Sequence, residues 1–90
     1  MRHDLKTWPK FFDMVRRGVK KFEVRVNDRD FQERDTLLLQ EYDPVTKKFT
    51  GNTLNCIVTC IVSGGEFGIR PGFVIMGIKV CWTRIVPKSS

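Results

Sequence analysis

The apolar residues of this chain change their period at Gly18, and that change limits the fold more than any other feature. Before it, Trp8, Phe11, Phe12 and Val15 fall at i, i+3, i+4 and i+7, the single stripe of an amphipathic helix. After it, Phe22, Val24 and Val26 alternate with Glu23, Arg25 and Asn27, the period of a half-buried strand. A lone amphipathic helix needs a sheet to cover, so the chain must lay it against the strands that follow. With 90 residues there is room for one domain and one modest core.

The spacing predicts a helix over 8–17. Thr7 stands ready to cap it, Pro9 fits its first turn, and Arg16 and Arg17 suit the negative end of its dipole. Gly18 occupies the position where a left-handed residue ends a helix. A strand over 22–26 is expected to bury Phe22, Val24 and Val26 and to show its charges outside. The polar run NDRDFQERD follows as a turn, then a strand over 36–42 with Leu37 and Leu39 on one face, ended by Asp43-Pro44.

A short exposed strand over 47–50 turns at Gly51-Asn52. The run 53–62 is apolar on both faces and therefore central. SGGEFGIRPG reads as a loop, and 73–82 as a last strand with Val74, Met76, Ile78, Val80 and Trp82 alternating. The tail IVPKSS is expected to be loosely held. Five or six short strands tend to close on themselves. The expected architecture is therefore mostly β (α+β), a small β-barrel with one packed N-terminal helix; an open α+β sheet is the alternative.

Three cysteines fit no closed disulfide framework. Cys56 and Cys60 lie about 13 Å apart along one strand, too far for a bond or a shared metal, and read as small buried hydrophobes. His3 is the single histidine, so no metal site or cofactor is expected; it reads as structural, with a hydrogen bond into the barrel. No apolar run is long enough for a membrane span, and MRHDLKTWPK lacks the apolar stretch of a signal peptide, so a cytoplasmic location is expected.

The net charge is +6 and uneven: residues 1–43 carry ten basic and nine acidic groups, residues 44–90 six and one. Such a basic balance favours polyanions. Locally, GVKKFEVR sets Lys20, Lys21 and Arg25 around Glu23. Strand parity places Lys21, Glu23 and Arg25 on one side, with Glu23 and Arg25 about 6.6 Å apart. Lys20 follows the turn, so its direction is open. Three cations around one carboxylate can meet a phosphate or a polar base edge, or form ordinary ion pairs on an exposed strand.

Asn27, Asp28, Arg29 and Asp30 build a polar turn by bonding their own backbone, or bring Arg29 to the cleft with Asp28 fixing it. In the loop over 63–72, Phe67, Ile69 and Arg70 face a ligand, or Phe67 plugs the core. That loop lacks the G-K-[S/T] ending of a phosphate-binding loop. Phe11, Phe12, Phe22 and Trp82 sit at core periodicity; Tyr42, Phe67 and Phe73 are freer to stack on bases.

GVKKFEVR fits G-x-K-x-x-E-x-R, the signature of ASCH domains in the PUA-like superfamily. With H-x-L-K at 3–6, Trp8-Pro9, RVNDRDF at 25–31 and GGEFGIRPGFVIMGI, the chain resembles the DUF3850 branch of that superfamily over roughly 3–80. The resemblance implies a β-barrel with a cleft beside the signature strand, RNA binding, and occurrence in bacterial or phage genomes. It places Lys20, Glu23 and Arg25 on the cleft wall, with Gly18 permitting the turn. Some ASCH proteins are similar but hydrolyse the amide of N4-acetylcytidine with a lysine, a threonine and a later glutamate. Lys20 matches the lysine; Glu23 stands in the threonine position, and Glu66 is the candidate for the later glutamate. Relatives commonly carry glycine where this chain has Arg34 before Asp35, which calls for a different turn or a positive φ at Arg34.

Three readings follow. The first is an RNA- or nucleoside-binding module with Lys20, Lys21, Glu23, Arg25, Arg29 and Arg70 at the ligand. The second is a small amidohydrolase using Lys20, Glu23 and Glu66, or a ribonuclease using Lys20 or His3. The third is an interaction protein of phage or host whose basic face meets an acidic partner.

Overall fold

The computed structural model describes residues 1–87. Its elements run β1 (Arg2–Thr7), α1 (Pro9–Arg16), β2 (Phe22–Val26), β3 (Thr36–Asp43), β4 (Lys48–Ser63) and β5 (Phe73–Arg84). The five strands form one curled sheet, a half-barrel, in the order β1-β3-β4-β5-β2. β1 runs parallel to β3, and the other pairs are antiparallel. The apolar 53–62 run lies within central β4, as its two-sided hydrophobicity requires.

β1 was not expected. Its residues RHDLKT hold a single aliphatic side chain, yet His3, Leu5 and Thr7 all turn inward and are buried. Two polar inward positions hid the alternation. Because Thr7 ends β1, it does not cap the helix: Trp8 holds the cap position, without a side-chain bond. The helix is correspondingly shorter than the predicted 8–17. It buries Phe12 and Val15 in the core, while Trp8 and Phe11 stay substantially exposed. The two runs expected over 47–50 and 53–62 are one bent strand, with a register shift opposite Gln40–Tyr42 and Gly51 at φ 92°.

The core gathers Leu5, Phe12, Val15, Phe31, Leu37, Leu39, Leu54, Cys56, Val58, Val74, Met76 and Ile78. Cys56 is buried as expected, but Cys60 is exposed, because the shift between Val58 and Cys60 turns it outward. Burial pushes the Cys56 thiol up to about 12. Trp82 has core periodicity but lies where β5 outruns the core, and it is exposed. Phe67 does not plug the core: it stands at the tip of the 63–72 loop with its ring in solvent.

Gly18 takes φ 75° after the helix, as the sequence requires. Arg34 takes φ 71°, the positive value its glycine-like position calls for. Of the tail, Val86 donates its N–H to Asn52 Oδ1, so that end is tied down; residues 88–90 lie outside the described residues. Among the described residues, no helix is long and apolar enough to cross a membrane.

Candidate functional site

The signature strand β2 is inverted relative to expectation. Glu23 is buried at 3% exposure, whereas Phe22, Val24 and Val26 are about half exposed. Period-two alternation separates two faces but does not say which is inside; register decides. Glu23 pairs with Met76 and Arg25 with Val74, both core residues, so the charged face is the inner one. The parity argument holds for Glu23 and Arg25, which share a side.

A buried carboxylate persists only when paired. Glu23 Oε1 accepts from Lys20 Nζ at 2.9 Å, and Oε2 from Arg25 Nε at 3.0 Å. The helix end fixes Lys20: the N–H groups of Val19 and Lys20 both donate to the Met14 carbonyl, winding the chain round Gly18 and aiming Lys20 at Glu23. Lys20 Nζ also lies 5.0 Å from the Phe22 ring centre and 5.7 Å from that of Phe11. Lys21 has the right parity but is exposed, outside the cluster.

The two edges of the half-barrel face each other across a seam. Thr36 N–H donates to the Met1 carbonyl, so odd residues of β1 face β3, and Asp4 and Lys6 turn their backbone to the seam. Lys21 and Asn27 bond to β5 through their backbones, so Phe22 and Val24 turn theirs to the same seam. The edges do not pair. Instead Arg25 Nη2 donates to the Lys6 carbonyl at 2.8 Å and Arg29 Nη1 to the Asp4 carbonyl at 2.7 Å. Arg29 therefore staples the seam and is not on the cavity wall. Asn27 Oδ1 accepts from Phe31 N–H, the turn-building role its residue type suits.

A cavity of about 570 Å³ opens at the seam between β1, α1 and β2. Its walls are Lys6, Thr7, Trp8, Phe11, Met14 and residues of the signature segment: Lys20, Phe22, Glu23, Val24 and Arg25. Of the residues singled out in sequence, Lys20, Glu23 and Arg25 meet here. Glu66 and Arg70 are exposed on the 63–72 loop and do not line it. Phe11 and Phe22, assigned to the core by periodicity, face this cavity instead. The helix stripe was one residue row wider than the core needed, and the extra row is the cavity wall. Thr7, Trp8 and Lys6 were missed as site residues; the H-x-L-K and Trp8-Pro9 matches were the signal that pointed there.

Thr7 Oγ1 is the one buried side-chain polar atom without a partner among the described residues. His3 is elsewhere: its Nε2 lies 2.8 Å from Asp35 Oδ2, the hydrogen bond into the fold expected of it, and its ring meets that of Phe31 edge to face at 4.7 Å. That bond, with the N–H of Gln32 and the terminal amine, holds the Asp35 carboxyl below the usual range against the opposing effect of burial. Lys6 spreads its ammonium over Tyr42 at 4.5 Å. No metal-binding cluster occurs among the described residues.

The chain belongs to the DUF3850 family, described as a domain of unknown function, which it matches over residues 2–78. It is 39% identical over 57 residues to an uncharacterized 12.9 kDa protein in the GpA 3' region of Escherichia phage P2. The match covers 63% of this chain and half of that relative's length.

Proposed function

We propose that this DUF3850 domain binds single-stranded RNA, holding one base in the seam cavity. The half-barrel is read as a PUA-like ASCH domain, and the cytoplasm as its place of work. The observation that carries the reading is the pairing of half-exposed aromatic faces with a cationic cluster in one cavity. Trp8, Phe11 and Phe22 are 40–56% exposed at a wall that also carries Lys6, Lys20, Glu23 and Arg25. A base stacked on an aromatic ring gains about 1–3 kcal/mol, and the net positive charge of Lys20, Glu23 and Arg25 attracts its phosphates. The volume lies within the usual range for small-ligand sites.

The hydrolase reading has less support, since Glu66 is not at the cavity with Lys20 and Glu23. A ribonuclease would have to work without His3, which is committed to Asp35. The test is fluorescence titration with a short single-stranded RNA in a Trp82→Phe background, where Trp8 reports alone. Binding should quench Trp8 and fall steeply between about 50 and 200 mM salt, with a log–log slope near −0.7 per phosphate contacted. Lys20→Ala should weaken it in that titration, and Trp8→Ala should weaken it when binding is read instead by anisotropy of a labelled RNA. Absent or salt-independent binding refutes the reading; release of acetyl from N4-acetylcytidine would favour the hydrolase.

A further inference from the structure

We infer that the cavity reads the Watson–Crick edge of uracil, an assignment that rests on the RNA-binding reading above. Lys20, Glu23 and Arg25 form a row: ammonium, carboxylate, guanidinium, joined at 2.9 and 3.0 Å. To a ligand entering the cavity the row offers a donor, an acceptor and a donor. The carboxylate retains acceptor capacity, since each oxygen has two lone-pair directions and accepts one bond here. Lys20 has further N–H groups, as does Arg25 beyond its bonds to Glu23 and the Lys6 carbonyl.

Uracil presents the complement: O4 accepts, N3–H donates, O2 accepts. Cytosine sets the N3 lone pair against the carboxylate, and adenine does the same with N1. Guanine matches at O6 and N1–H but turns its 2-amino group toward a cation. The charged row therefore favours uracil, then guanine, and disfavours cytosine and adenine. A site built to hydrogen-bond one edge rejects others strongly, because its buried groups are left unpaired.

A second observation points to an occupant independently. Thr7 is 3% exposed and lines the cavity, and its hydroxyl has no partner. Buried hydroxyls are nearly always bonded. A hydroxyl both donates and accepts, so it can complete a uracil carbonyl as a donor or a ribose hydroxyl as either. Phe11 and Phe22, whose ring centres lie 5.7 and 5.0 Å from the Lys20 ammonium, add apolar surface to the same cavity wall.

The experiment compares short oligonucleotides of U, C, A and G, and a U oligonucleotide carrying 3-methyluridine, across a series of salt concentrations. The U oligonucleotide should bind about tenfold or more tighter than C or A, and N3 methylation should remove that advantage. Thr7→Val is nearly isosteric and removes the hydroxyl; it should weaken U binding several-fold without lowering the melting temperature. Glu23→Gln should flatten the preference if it folds, and Thr7→Val carries the test if it does not. Equal binding of all four bases with a common salt slope, or indifference of the U oligonucleotide to N3 methylation or to Thr7→Val, overturns the uracil assignment and leaves RNA binding standing. Failure of every oligonucleotide to bind overturns both.

Discussion

Lys20→Met should destabilise the fold more than Glu23→Gln, although both disrupt the same ion pair. The side chains differ in access to water: Glu23 is 4% exposed, Lys20 12% and Arg25 28%. Breaking a buried ion pair by deleting one partner costs about 3–5 kcal/mol, because the survivor keeps its charge without compensation. In Lys20→Met the survivor is Glu23, the most enclosed of the three, but Arg25 still holds its second oxygen. The expected loss is thus somewhat below that range, about 2–3 kcal/mol. The methionine keeps the packing of the lysine stem, so little of this is lost contact area.

In Glu23→Gln the survivors are two cations that reach solvent, and the new amide still accepts one bond. About 1–2 kcal/mol is expected. The double variant should lie near Glu23→Gln alone, since a methionine beside a neutral amide strands no charge. Urea unfolding followed by tryptophan fluorescence gives all three values. For a domain of this size 1 kcal/mol corresponds to about 4–8 °C, so Lys20→Met should melt roughly 8–24 °C lower. A loss no larger for Lys20→Met than for Glu23→Gln, or additivity within about 0.5 kcal/mol, refutes the account of Glu23 as a compensated buried charge.

Arg34→Gly should stabilise the protein by about 0.5–1 kcal/mol, seen as a higher urea midpoint, because φ 71° is strained for arginine and free for glycine. Thiol labelling of the native protein should modify Cys60 and Cys81 quickly and Cys56 at the rate of unfolding. The Cys56 thiol, normally near 9, is raised to about 12 when folded, so the unfolded chain loses that proton first. Stability present below about pH 9 should therefore decline as pH rises from there, and Cys56→Ala should flatten the decline in an alkaline unfolding series. Asp35 shifts the other way: its carboxyl, lowered from 3.8 by the His3 bond, contributes stability above that value and loses it as pH falls through the folded value. Asp35→Asn should be less stable near neutrality but show a shallower acid limb in the same series.

Much of the fold was legible because period and punctuation agree. Gly18, Asp43-Pro44 and the glycines of 63–72 separate the elements correctly, and the two-sided apolar run of β4 locates the sheet centre. β1 escaped because an inward His3 bonded to Asp35 and an inward Thr7 look polar in a one-dimensional pattern. The faces of β2 were inverted for a related reason. Alternation reports that two faces differ, and the usual rule sends charges outward. That rule fails when the charges neutralise one another, and the ion pairs within three residues of Glu23 were visible in sequence as composition but not as geometry. Lys20 could not be aimed from sequence because its direction depends on both N–H groups after Gly18 folding back to Met14.

Several departures from local rules gather at the seam, and their coincidence argues for a site more strongly than any single residue. Pairing β1 with β2 would close the barrel and satisfy both edges. The seam stays open instead, and Arg25 and Arg29 spend guanidinium groups on the carbonyls of Lys6 and Asp4. Beside that seam lie the inward charges of β2, the half-exposed rings of Trp8, Phe11 and Phe22, and the orphaned hydroxyl of Thr7. Each is unfavourable in a chain selected for stability alone, by roughly 1–3 kcal/mol for an unpaired buried polar group. Consistency between local preference and fold is the general expectation, with exceptions concentrated where function requires them. His3–Asp35 is the instructive contrast: it too is buried and polar, but its bonds are made within the fold, and neither residue lines the seam cavity.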